Sequence, residues 1–122
     1  MGARGATVTF TVTYAQRDGD GVCLRLAGEL DLGTAGELSS AIDRVVAEGH
    51  RELLLDLTEL TFCDSTGIAA FVRGDNIVAA DGGWLRLTGA TGRVARVLQV
   101  TGLAEVLHRG LDTADPTAPA AS

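Results

Sequence analysis

Residues 53–68 read LLLDLTELTFCDSTGI, and the pattern in this stretch changes from strand to helix at Asp64. Its first part, residues 53–57, is nearly continuous in apolar residues, as expected for a central strand covered on both faces. Asp is a preferred N-cap residue and an apolar helical pattern begins at Ile68, so a helix is predicted to start here. Ser65 is then expected to lie exposed in the first turn, beside unpaired backbone N–H groups. A serine in that position suits covalent modification better than burial.

Strand and helix patterns alternate on both sides of this stretch. Thr34 and Glu37 fit a capping box that opens a helix, and Gly49 closes it. The helix after Asp64 is expected to end at Gly82 and to bury Ile68, Phe71, Val72 and either Val78 or Ala79. The other predicted elements are a strand at 7–14, a hairpin turn at 17–21, a strand at 22–26, a strand at 84–87, a short helix at 92–100 and an edge strand near 104–108.

Two early strands in a hairpin, followed by helix–strand alternation, predict an α/β fold. We expect a mixed four- to five-stranded β-sheet with helices packed mainly on one face. Residues 7–109 are predicted to form the single domain, residues 1–6 an N-terminal extension and residues 110–122 a flexible tail, which contains both prolines. Ser65 is expected just beyond the carboxyl end of the 53–57 strand, after a short connection at 60–63, where sites in open α/β sheets usually form.

Composition excludes several classes of function. The chain has 122 residues and a net charge of −6, and its ten basic residues are all Arg. Without a basic surface, direct binding of nucleic acid is not expected. The absence of Lys excludes Schiff-base chemistry and the lysine of a phosphate-binding loop. No apolar run approaches the ~18 residues of a membrane span, so no membrane contact and a cytoplasmic location are expected.

Cysteines and histidines give no sign of a cofactor. Cys23 and Cys63 occur singly in strand-like segments and are predicted to be buried, reduced thiols. His50 and His108 are too far apart in the sequence to suggest a metal site. We therefore expect neither a metal nor a cofactor in this chain.

Four segments carry a resemblance to a known family. They are Gly28-Glu29-Leu30-Asp31, the strand at 53–57, the run Leu60-Thr61-Phe62-Cys63-Asp64-Ser65-Thr66-Gly67, and Thr101-Gly102-Leu103. Together they resemble the anti-sigma factor antagonists, one branch of the STAS domain family, over residues 8–108. The Asp-Ser-Thr-Gly element after an apolar strand is the most specific part. Relatives often carry Lys on the exposed face of the following helix, where this chain has Asp75-Asn76.

The resemblance implies a function as well as a STAS-type fold. In such proteins the unphosphorylated antagonist binds an anti-sigma factor that is also a serine kinase, and so releases a sigma factor. The kinase phosphorylates the antagonist, the two separate, and a serine phosphatase resets the cycle. Carried over to this sequence, the phosphoacceptor is Ser65, with Thr66 as a weaker second hydroxyl. Asp31, Asp64, Thr66 and Gly67 are expected to form the surface that switches and binds the partner, and no residue is expected to be catalytic.

Two other classes of function remain open on the sequence. Asp-Ser-Thr-Gly is similar to the Asp-[Ser/Thr]-Gly element of small dimeric aspartic proteases, in which paired carboxylates share a proton. The spacing differs by one residue, and the helical pattern after Gly67 argues against an almost entirely β fold. The second alternative is a STAS scaffold, sensor or nucleotide-binding module without a phosphorylation cycle. The presence of Ser65 favours the switch over that alternative.

Overall fold

The computed structural model describes residues 9–17, 21–103 and 107, which contain four strands and three helices. The elements are β1 (Phe10–Gln16), β2 (Gly21–Leu30), α1 (Ala35–Ala47), β3 (Glu52–Cys63), α2 (Ser65–Ala80), β4 (Trp84–Thr88) and α3 (Gly92–Thr101). β1 and β2 are antiparallel, whereas β2 and β3, and β3 and β4, are parallel. The strands form one sheet in the order β1-β2-β3-β4. This confirms the predicted mixed α/β sheet.

Some predictions fall outside the described residues. They concern the extension at 1–6, the tip of the hairpin at 18–20 and the tail at 110–122. The hairpin is closed by the Arg17 backbone N–H, which donates to the Gly21 carbonyl at 3.1 Å. No helix in the described ranges is long and apolar enough to cross a membrane.

The helices pack on one face of the sheet. On β3 that face carries Leu53, Leu55 and Leu57, each 0 % exposed. The opposite face carries Leu54 and Asp56, which are only half-buried, so the expectation of a strand covered on both faces is wrong for this second face. Burial removes the apolar side chains from water and is the main term that holds the layers together. The helical part of this core comprises Leu38, Ala41, Ile42 and Val45 of α1, Ala70, Phe71 and Val78 of α2, and Val94 and Leu98 of α3.

The buried face of α2 differs in part from the predicted one. Phe71 and Val78 are buried, whereas Ile68 and Val72 are only partly buried. The expectation that Asp75 lies on an exposed face is wrong, because its side chain is 0 % exposed. Asp75 follows Phe71 by four residues and precedes Val78 by three, so the helical period places all three on one face.

Two further predictions need correction. The expected connection at 60–63 is the last part of β3, and Leu30 pairs with Cys63 where β2 ends beside it. Of the edge strand predicted near 104–108, only Leu107 is described; its backbone N–H donates to the Leu103 carbonyl at 3.1 Å. This i to i−4 bond is helical geometry and does not fit a strand.

Candidate functional site

The turn between β3 and α2 is built around the carboxylate of Asp64. As predicted, Asp64 is the N-cap of α2, and its Oδ1 accepts from the backbone N–H groups of Thr66 at 2.9 Å and Gly67 at 3.3 Å. The Thr66 hydroxyl donates to the same oxygen. The Asp64 carbonyl accepts the first helical bond, from the Ile68 N–H at 3.1 Å. These bonds satisfy backbone donors that a helix start otherwise leaves unpaired.

Hydrogen bonds to the charged form keep this carboxylate ionised. The pKa of Asp64 is lowered from 3.8, first because the Thr66 hydroxyl donates to it and also because the backbone N–H groups of Gly67, Thr66 and Leu32 point at it. A full negative charge therefore stands one residue before Ser65 at neutral pH.

Replacing Asp64 by Ala is expected to lower the free energy of unfolding by about 1 kcal/mol at neutral pH, because the N-cap is lost. A carboxyl group whose pKa is lower in the folded than in the unfolded state stabilises the fold at pH values above its unfolded-state pKa. This stabilisation disappears as the pH falls through the folded-state pKa. The deficit of Asp64→Ala should therefore shrink at a pH below 3.8. Urea unfolding followed by circular dichroism, at neutral pH and at a pH below 3.8, measures this deficit in stability. A deficit that is the same at both pH values would contradict a stabilising role of the Asp64 charge.

The two neighbouring hydroxyls of the turn are not equivalent. Ser65 is the first residue of α2 and its side chain is exposed. Thr66 is half-buried, and its hydroxyl is used in the bond to Asp64. Modification of Thr66 would break a bond that organises the helix start, whereas modification of Ser65 would not. Of the pair, Ser65 is the more exposed residue.

Gly67 allows α2 to begin directly against the end of β2. A Cβ atom at this position would lie 2.7 Å from Leu30 Cγ and 2.9 Å from Cys63 Sγ. Such distances are too short for carbon or sulfur in contact, so a side chain at this position would force Leu30, Cys63 or the helix start to shift. Burial raises the pKa of the Cys63 thiol to about 11, with the Asp64 charge adding to the effect, so Cys63 is a packing residue here.

A second turn, at 31–34, lies beside the first. The Asp31 carboxylate accepts from the Gly33 N–H at 2.9 Å, and its Oδ1 lies 3.2 Å from the Thr34 hydroxyl oxygen. Thr34 precedes α1 as predicted, but its hydroxyl donates to the Glu29 carbonyl at 2.8 Å and makes no capping bond to the helix. The predicted capping box is therefore wrong, because threonine can bond to nearby loop backbone instead of the helix.

The two turns are joined through the backbone. The Asp64 N–H donates to the Leu30 carbonyl at 3.2 Å, and the Leu32 N–H faces the Asp64 carboxylate. The structure thus brings the Asp31 turn and the Asp64 turn together. The Asp31 carboxylate, however, accepts a hydrogen bond within its own turn and shapes that loop.

Sequence reasoning did not select Leu32 as a site residue. In the structure its side chain is 80 % exposed at the junction of the two turns. The signal that identifies it is its place between two turn-forming residues, Asp31 and Gly33, because a side chain there has no layer to pack against.

The sequence of this chain is similar to those of known proteins. Residues 13–109 match the family model described as Mlab, STAS domain. The anti-sigma-B factor antagonist of Listeria monocytogenes is 29 % identical over 101 residues, which cover 83 % of this chain and 89 % of that protein.

Solved structures show the same fold. An anti-sigma factor antagonist from Mycobacterium paratuberculosis superposes with a TM-score of 0.73 at 28 % identity, covering 87 % of this chain and 88 % of that one. The Bacillus cell fate determinant SpoIIAA, in its phosphorylated form, superposes with a TM-score of 0.64 at 21 % identity, covering 85 % of this chain and 93 % of that one.

Proposed function

The chain belongs to the STAS domain family, and on that premise we propose that it is an anti-sigma factor antagonist switched by phosphorylation of Ser65. The observation that carries the proposal is the exposed Ser65 hydroxyl at the first position of α2, directly after the capping Asp64. The names of the Listeria and Mycobacterium relatives support the role, and the phosphorylated SpoIIAA structure supports a phosphorylated state.

In the proposed cycle an anti-sigma factor with serine kinase activity binds the unphosphorylated chain and thereby gives up its sigma factor. The Ser65 Oγ attacks the γ-phosphorus of ATP held by the kinase, ADP leaves, and the hydroxyl proton passes to a base on the kinase. A serine phosphatase later adds water across the ester and returns Ser65 and inorganic phosphate. The antagonist is a binding protein and a substrate in this cycle, which we place in the cytoplasm.

The free domain tolerates the phosphate that this cycle adds. A phosphoserine carries about −1.5 to −2 charge, and a helix N-terminus favours an anion by about 0.3–1 kcal/mol. Repulsion by Asp64 at ~5 Å is on the order of 3 kcal/mol per unit charge at an effective dielectric of about 20, before screening. Because Ser65 is exposed, water and salt screen most of that repulsion. The modification therefore changes the surface that a partner meets and leaves the fold intact.

The test is phosphate mapping on the full chain incubated with candidate anti-sigma kinases and ATP. Trypsin cleaves after Arg51 and Arg73, so one peptide carries both Ser65 and Thr66, and fragmentation distinguishes them. We expect a single phosphate on Ser65, none on Ser65→Ala, and a phosphate still located on Ser65 in Thr66→Val.

Binding of the Ser65→Ala variant provides a second readout. This variant should stay bound to the kinase in the presence of ATP, whereas the wild-type chain should be released as it becomes phosphorylated. If Ser65 stays unmodified with the kinase that binds the chain, the switch is wrong and a STAS scaffold without a phosphorylation cycle takes its place.

A further inference from the structure

Leu32 has the most exposed large apolar side chain of the described residues. It is 80 % exposed, compared with 74 % for Val100, 43 % for Tyr14 and 37 % for Phe62. Single exposed leucines are common on protein surfaces and carry no meaning alone. What distinguishes Leu32 is the hydrogen-bonded turn that carries it and its backbone contact with Asp64, the residue before Ser65.

The turn that presents Leu32 is fixed on both sides. The Asp31 carboxylate holds the Gly33 N–H at 2.9 Å, and the Asp31 carbonyl accepts the N–H groups of Thr34 at 3.0 Å and Ala35 at 2.8 Å. The Thr34 hydroxyl also accepts the Asp31 N–H at 2.9 Å. A backbone so constrained loses little conformational entropy when a partner binds the side chain it carries.

The same turn is attached to the residue that precedes Ser65. Asp64 donates its N–H to Leu30, and the Leu32 N–H faces the Asp64 carboxylate. A partner that reaches the Ser65 hydroxyl therefore meets Leu32 at the edge of the same contact. Of the large apolar side chains near this contact, Leu32 is the most exposed.

We propose that Leu32 is the anchor by which the anti-sigma kinase holds this chain, inserting into an apolar pocket beside the site that presents ATP to Ser65. The inference rests on the proposed function and adds which side chain secures the partner. Buried apolar side chains at the centre of an interface commonly carry much of its binding energy. Leu32 does not touch the reacting atoms, so it acts on binding and leaves the transfer step unchanged.

The experiment compares Leu32→Ala with the wild-type chain and with Val100→Ala, which removes a similarly exposed aliphatic side chain from the end of α3. The kinase is the anti-sigma factor retained by Ser65→Ala. We expect Leu32→Ala to raise the KM for phosphorylation of Ser65 about tenfold, with kcat unchanged, and to weaken the nucleotide-free complex by the same factor. Val100→Ala should match the wild type in both measurements.

The outcomes separate the two proposals. If the wild-type chain is phosphorylated on Ser65 and Leu32→Ala keeps the wild-type KM, the anchor is overturned and the switch stands. If wild-type Ser65 is not phosphorylated, the proposed function fails and the anchor fails with it. Two further outcomes would contradict a role at the kinase. A Leu32→Ala chain that unfolds at lower urea than the wild type would mean that Leu32 stabilises the fold. A wild-type dimer that this substitution dissociates would mean that Leu32 binds a second copy of the chain.

Discussion

Phosphate on Ser65 is expected to weaken the complex with the anti-sigma kinase by about 30- to 150-fold. In the free chain the phosphate stays hydrated, because Ser65 is exposed. In the complex it is pressed against a surface shaped for a neutral hydroxyl, beside the ionised Asp64, and it loses water without gaining a partner. A penalty of roughly 2–3 kcal/mol gives that loss of affinity. This is enough to exchange one partner for another without refolding.

Variants at Ser65 separate the effect of negative charge on kinase binding from the other effects of the phosphate group. Ser65→Glu carries about one unit of charge where phosphate carries about −1.5 to −2, so it should lose less affinity than the phosphorylated chain. Ser65→Ala carries none and should bind as the unphosphorylated wild type does. Binding of each variant to immobilised, nucleotide-free kinase measures this order. Equal affinities for Ser65→Glu and Ser65→Ala would reject the electrostatic account.

Replacing Gly67 by Ala is expected to lower the free energy of unfolding by about 1–3 kcal/mol, the usual cost of overpacking. The added Cβ would meet side-chain atoms of Leu30 and Cys63 at 2.7–2.9 Å, and both side chains are buried in the core with little room to rotate. Relief of the contact is then expected to displace the start of α2, which carries Ser65. We therefore also expect slower phosphorylation of Ser65 in the variant. Urea unfolding and a kinase assay measure the two effects.

Gly36 supplies a matched control for Gly67. It also lies in the first turn of a helix, but a Cβ there would find nothing within 4 Å. Gly36→Ala should therefore raise stability by about 0.5–1 kcal/mol, because alanine is the better helix former. If Gly67→Ala were as stable as Gly36→Ala, the account would be contradicted. Close packing of α2 against β2 would then not explain the glycine at position 67.

The position of Ser65 could be predicted because each step depends on local rules. An Asp before a helical pattern is a strong N-cap signal, and the structure places the helix start at the expected residue. Strand pairing followed from the hairpin and from helix–strand alternation. These features are set by residues close together in the sequence.

The features that could not be predicted depend on which groups meet in the folded chain. The length of β3 follows from pairing with β2 up to Leu30, which no local pattern reveals. Thr34 fits a capping box in sequence, but in the structure its hydroxyl donates a hydrogen bond to the Glu29 carbonyl instead. The burial of Asp75 agrees with the helical period, but the family resemblance placed this position on an exposed face, and buried carboxylates are rare.

The most direct test is a calorimetric titration of the nucleotide-free anti-sigma kinase with two forms of the wild-type chain. One form is unphosphorylated and the other carries a single phosphate on Ser65, verified by mass spectrometry. The account predicts tight binding of the first form and a dissociation constant about 30- to 150-fold higher for the second. Equal dissociation constants for the two forms would contradict the switch at Ser65.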